Sequence, residues 1–377
     1  MLAAARHIAR ATLRHHARAF SASSSVAAEA IGSPGRFEQA LQDGPVICAE
    51  GYLFELERRG YVQIGAFVPE VVLNDPEAVK QLHREFMRAG SDILEAFTYY
   101  GHRDKLRLIG KEHLLEELNR QAVQLAQEVA REKDGAPALV AGNICNTTTY
   151  VPNDADSERE TRAQFEEQVG WAKEEGVDLI IGETFEYLSE AQIALDVIQA
   201  AGLPSVITQA ILREGETREG VAPADAMVAL KEAGATVVGL NCSRGPDTML
   251  PLLQDITAAV GDHPVAALPV AYRTCEEHPT FQSLTQDADM KYCDLDPHTC
   301  TRFDFADFTQ KAVAMGVRYL GVCCGGAPHH VRAMSQALGR EPPSAEFAPD
   351  LSKHFAFGTK EGLGDNTDRS LEWREKM

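Results

Sequence analysis

Short apolar runs alternate with longer amphipathic stretches from residue 46 to residue 323, and this alternation confines the chain to a parallel sheet with helical crossovers. The apolar runs fall at 46–48, 93–97, 139–144, 179–183, 205–209, 237–242, 265–270 and 319–323. Helical patterns lie between them at 76–89, 114–132, 158–175, 189–201, 223–233 and 305–315. Eight strands spread this evenly predict a closed (β/α)8 barrel, a TIM barrel, with an open doubly wound sheet as the competing arrangement.

Glycines punctuate the pattern. Gly90, Gly176, Gly234 and Gly316 each stand where a helical stretch stops before the next apolar run, as C-capping requires. Residues 277–297 interrupt the regularity and are expected to lie over one end of the barrel. After Arg340 the composition turns to Pro, Ser, Asp and Gly. The expected layout is therefore a barrel over 37–340 and a tail or short arm over 341–377.

The first residues read differently. Between Met1 and Ala28 there is no Asp or Glu, while Arg6, Arg10, Arg14 and Arg18 recur every fourth residue along one side of a helix. An Arg-rich, Ser-rich, acid-poor amphipathic start describes a mitochondrial transit peptide, here 1–20, followed by a linker over 21–36. A matrix location is expected, with plastid or cytoplasm as alternatives. Setting the leader aside takes away four positive charges and moves the net charge from −20 to −24. So acidic a chain repels phosphate backbones, and nucleic acid is not an expected partner. No apolar run approaches the roughly 18 residues that cross a bilayer.

In barrels of this kind, reactive groups gather at the carboxyl ends of the strands. Two ends stand out: Gly239-Leu240-Asn241-Cys242 after the sixth run, and Cys323-Cys324-Gly325-Gly326 after the eighth. They flank the seventh strand and can converge above the barrel mouth. Three thiolates meeting there would hold one Zn2+ per chain in a tetrahedral site with a position open for substrate. Taken singly, each cysteine is more economically read as core filling. Cys48, Cys145, Cys275, Cys293 and Cys300 match no metal spacing. His329 and His330 follow Pro328 at a helix start and are expected to cap or face solvent rather than bind a metal.

These cysteines, with the runs Phe54-Glu55-Leu56-Glu57-Arg58-Arg59-Gly60-Tyr61 and Gly316-Val317-Arg318-Tyr319-Leu320-Gly321, carry a likeness. The chain resembles the homocysteine S-methyltransferases, and within them the betaine-using members. That resemblance implies a zinc enzyme that moves a methyl group from an onium donor to homocysteine, giving methionine. It implies Cys242, Cys323 and Cys324 as the zinc ligands that activate the substrate thiol, and Glu183 as partner of the substrate ammonium.

Departures from the family pattern bear on the donor. Ala49 stands in place of the usual aspartate at the first strand end, with Glu50 as its candidate replacement. Phe67 replaces an expected tryptophan and Thr184 an expected tyrosine, whereas Tyr100 matches. Phe67, Tyr99 and Tyr100 are the candidates for an aromatic cage around a quaternary ammonium. Betaine is the first expected donor. A sulfonium such as S-methylmethionine or dimethylsulfoniopropionate is the second, and a zinc-stabilised scaffold barrel is the non-enzymatic alternative. Oligomeric state is left open by the sequence.

Overall fold

A computed structural model of the chain describes residues 31–33, 35–63, 69–285, 292–346, 351–354, 358–363 and 372. The leader expected over 1–20 lies outside these residues, as does Phe67.

Among the described residues, eight strands close into a ring: β1 (Val46–Ala49), β2 (Ile93–Glu95), β3 (Leu139–Cys145), β4 (Leu179–Phe185), β5 (Ser205–Gln209), β6 (Val237–Asn241), β7 (Val265–Leu268) and β8 (Val317–Val322). Every neighbouring pair is parallel. The pairing of β1 with β8, Val46 beside Tyr319 through Ala49 beside Val322, shuts the ring and excludes the open sheet. Such strands are covered on both faces, which is why they read as continuous apolar runs rather than as alternation.

The helices follow from period and punctuation. Pro76–Ala89 buries Val79, Leu82, His83 and Phe86, a spacing of three and four that makes one stripe. It stops at Gly90, whose φ of 110° a side chain would resist. Ala155–Glu175 opens on Asp154, whose carboxylate accepts from the amides of Asp156 and Ser157 at 3.0 and 2.9 Å.

The barrel interior holds Cys48, Leu139, Leu179, Ile181, Val206 and Tyr319. Its amino-terminal end is stoppered by the helix Arg36–Asp43, which sets Phe37 and Leu41 into the same cluster. Arg36 Nη1 donates to both oxygens of the buried Asp178 carboxylate at 2.8 and 2.9 Å, and the Gly32 amide joins them at 2.8 Å. With one end plugged, the other is left for chemistry. No helix of the described residues is long and apolar enough to cross a membrane.

Strand ends differ by a residue or two from the sequence expectation. β2 ends at Glu95 rather than 97, β6 at Asn241 rather than 242, β7 at Leu268 rather than 270 and β8 at Val322 rather than 323. In these four the chain turns earlier, whereas β1, β3 and β4 run on to Ala49, Cys145 and Phe185, so Cys242, Cys323 and Cys324 sit beyond their strands while Asn143 and Glu183 lie within theirs.

Candidate active site

The end of β7 acts as a ruler for the three cysteines. Its extension accepts the Cys242 amide on Leu268 O and the Cys323 amide on Pro269 O, both at 3.0 Å, and Ala271 donates to Cys324 O at 2.9 Å. Cys242 and Ser243 each take a φ of 57°, a left-handed turn that swings the chain from β6 over the barrel mouth. As a result the Sγ atoms of Cys242, Cys323 and Cys324 all lie within 4.8 Å of one another, and Cys242 and Cys324 are 3.6 Å apart. Cys242 and Cys323 are buried and Cys324 is half-buried.

Glycine makes this packing feasible. A Cβ at Gly325, where φ is 76°, would fall 2.7 Å from the Tyr272 ring, and one at Gly51 would fall 2.5 Å from Gly326 O. The irregular segment after β7 closes over the group: Tyr272 stacks on Phe281 at 5.8 Å, and both pack with Leu295 around the cysteines.

Hydrogen bonds from the Cys323 and Cys324 thiols hold the Cys242 thiol well below its usual range, and sharing a proton with Cys242 pushes the other two well up. Adjacent thiolates repel, and only a cation placed among them lets all three ionise. The donor set, three converging sulfurs with one side open to a cavity, fits a soft divalent ion such as zinc.

Carboxyl groups form the next layer. Glu183, inside β4, accepts from Asn143 Nδ2 at 2.7 Å on one oxygen, and from Asn241 Nδ2 at 2.8 Å and Thr184 Oγ1 at 3.1 Å on the other. Burial pushes it up to about 7, against the pull of these donors. Asn241 also accepts from the Thr184 amide and from Thr208 Oγ1, each at 2.9 Å. Glu50, half-buried, receives Asn241 Nδ2 at 3.4 Å on one oxygen, while its other oxygen has no partner among the described residues. Glu50, Glu183 and Cys323 also bring ligand atoms within 4.8 Å of one another.

The structure adds Glu95, at the tip of β2, whose carboxyl accepts from Asn143 at 2.5 Å. Burial, then repulsion from Glu183, pushes it well above the ordinary carboxylate range. A lone acid within Ile93-Leu94-Glu95-Ala96-Phe97 was the available signal, and sequence reading passed over it because the run reads as strand. The side chain of Asn143 was missed for the same reason, though its backbone amide is a sequence candidate for the substrate carboxylate, and Tyr52, at the start of the helix Tyr52–Arg58, gave no signal of its own.

Glu50, Glu95, Asn143, Glu183 and the three cysteines border one narrow cavity, together with Tyr52, Phe97, Tyr99 and Thr184. Tyr100, at a φ of 61°, tilts against Tyr99 with ring centroids 4.3 Å apart. Lys105 Nζ sits 4.0 Å over the Tyr100 ring, so a cation of the chain itself already occupies that face. His330 is fully buried rather than solvent-exposed: its Nδ1 caps the Ala327 amide at 3.1 Å and its Nε2 meets Cys300 O at 2.9 Å.

The homocysteine S-methyltransferase family model matches residues 46–338, from the first residue of β1 to the helix after β8. The chain belongs to the homocysteine S-methyltransferase family. Among the methyltransferases it resembles is betaine–homocysteine S-methyltransferase 1 of Danio rerio, 36% identical over 337 residues that cover 87% of this chain and 81% of the relative. The S-methylmethionine–homocysteine S-methyltransferase BHMT2 of Rattus norvegicus is 37% identical over 326 residues, 85% of each chain. Of solved structures, the metallated form of the Escherichia coli homocysteine methyltransferase MmuM superposes with a TM-score of 0.63 at 19% identity, over 81% of this chain and 99% of that one. At that identity the likeness speaks for the fold alone.

Proposed function

We propose that this methyltransferase carries the methyl group of an onium donor to the sulfur of homocysteine, giving methionine, with one zinc ion on Cys242, Cys323 and Cys324. The observation that carries this reading is the convergence of three sulfurs beside the buried carboxyl of Glu183 on one cavity. Zinc bound there supplies the acidity that leaves a substrate thiol ionised at neutral pH.

The chain's own residues do the rest. Glu183, held by Asn143 and Asn241, receives the substrate ammonium, and Thr184 lies next to it on the cavity wall. Tyr52, Phe97 and Tyr99 supply apolar faces that keep water from the reacting carbon. Transfer forms the new sulfur–carbon bond as the donor's carbon–heteroatom bond breaks. The departing electron pair cancels the onium charge, so the donor leaves neutral. Alignment of sulfur, methyl carbon and leaving atom is the main catalytic demand.

Betaine, yielding dimethylglycine, is the first donor reading, in keeping with the likeness to the Danio rerio enzyme and with a mitochondrial address over residues 1–20. A sulfonium donor is the second, favoured by Thr184 where the family carries a tyrosine and by Lys105 over the Tyr100 ring. A domain over 37–340 with a tail after it is proposed to carry the whole activity. The test is methionine formation from homocysteine with betaine, S-methylmethionine or dimethylsulfoniopropionate, on protein assayed for zinc. Zinc-loaded protein that turns over none of them would overturn the reading and leave the scaffold barrel.

A further inference from the structure

Glu95 reaches the cavity from β2 and Glu183 from β4, with β3 between them. Asn143, on β3, donates Nδ2 to Glu95 Oε1 at 2.5 Å and to Glu183 Oε1 at 2.7 Å. One amide thus clamps two carboxyl groups of like charge side by side, both nearly without solvent contact at 3% and 4% exposure. Among the described residues that line the cavity there is no Lys, Arg or His to neutralise them. The two carboxyls also meet each other directly, so without a ligand a shared proton relieves their repulsion, and a ligand that brings a cation can take that proton's place.

The α-ammonium of homocysteine is such a cation, and it carries three N–H donors. Glu183 alone is poorly supplied with lone pairs for it, because one of its oxygens already accepts from Asn143 and the other from Asn241 and Thr184. The methyl-bearing centre of an onium donor has no N–H to offer a carboxylate. We propose that Glu95 is the second carboxyl of the homocysteine ammonium site, binding the amino end jointly with Glu183 while Asn143 sets their separation. The proposal rests on homocysteine being the acceptor. Its role is to fix the amino end of the substrate so that its sulfur is delivered to the three thiols.

The test is calorimetric titration of the zinc-loaded full chain with homocysteine and with 4-mercaptobutanoate, which keeps the thiol and carboxylate and lacks the amino group. Glu95→Gln is expected to weaken homocysteine roughly tenfold, the scale of a lost hydrogen bond to a charged group, and to leave the analogue within about twofold. Zinc content stays at that of the wild type. In turnover, the KM for homocysteine rises while kcat and the donor KM hold. Equal weakening of both ligands, an unchanged homocysteine Kd, or a shift in the donor KM instead would each overturn the proposal. Should Glu95→Gln fold poorly, Glu95→Asp, which keeps the charge on a shorter arm, is put through the same pair of ligands, with a loss confined to homocysteine expected again. If no onium donor supports turnover but the two-ligand contrast holds, the methyl-transfer reading fails and the ammonium site stands.

Discussion

Asn241 donates a 2.8 Å hydrogen bond to Glu183, tying the end of β6 to β4 one residue before the thiol of Cys242. The same side chain holds Thr184 at both its amide and its hydroxyl and takes the Thr208 hydroxyl. A single amide therefore links the carboxyl layer to the thiol layer.

Replacing Asn241 by Ala removes these partners at once and strands the Thr184 amide in a buried setting. The expected cost is about 2–4 kcal/mol of stability, with a homocysteine KM raised tenfold or more, on the order set by unsatisfied buried groups. Thermal unfolding and initial rates check it. An unaltered melting temperature would remove Asn241 from this role.

Metal content should follow the sulfurs one by one. Cys242→Ala and Cys324→Ala are expected to take the zinc from about one per chain to near zero, because two thiolates no longer enclose the ion. Cys275, exposed and outside the three-sulfur group, serves as the control whose replacement changes neither zinc nor rate. Full zinc in either active-site variant, measured by elemental analysis, contradicts the ligand set.

Gly51→Ala tests the cradle without touching a sulfur. The new Cβ would stand 2.5 Å from Gly326 O and 3.3 Å from Cys323 O, so the turn that aims Cys323 and Cys324 must move. Activity is expected to fall at least about tenfold, as misplacement by even an ångström does. Gly170→Ala is the counterpart. It lies within the helix Ala155–Glu175 with open space around it, and there alanine should add about 0.5–1 kcal/mol of stability with no change in rate.

A fourth expectation concerns acid. His330 is pushed down to about 3 by burial, so the folded protein keeps it neutral while the unfolded chain takes up a proton near pH 6.5. A lowered base contributes stability above the unfolded value and loses it as pH falls from there toward 3. Between pH 6.5 and 5 the loss is about 2 kcal/mol. Chemical denaturation of wild type and His330→Gln should show their stability difference shrinking by that amount over the interval. A difference independent of pH would mean that His330 titrates alike in both states.

The barrel was legible because strands covered on both faces must be apolar throughout, and because Gly90, Gly176, Gly234 and Gly316 mark helix ends with the positive φ that they adopt. The cysteines were legible for a different reason: Cys323-Cys324-Gly325-Gly326 wastes packing if it is only core. Glu95 and Asn143 were hidden by the same apolar runs that revealed the fold, since one polar residue in a strand says nothing of which partner it faces across the ring. The position of Lys105 over Tyr100 is likewise a matter of tertiary placement that spacing alone does not convey.

The cysteines also impose an order in time. Cys242 follows β6, whereas Cys323 and Cys324 follow β8, the strand that must dock on β1 to shut the ring. A chain interrupted before residue 317 holds one sulfur of the three and has no grip on a metal. Under the proposed zinc site, loading would wait for the ring to close, and an ion held by all three sulfurs would report that the circle of strands is complete.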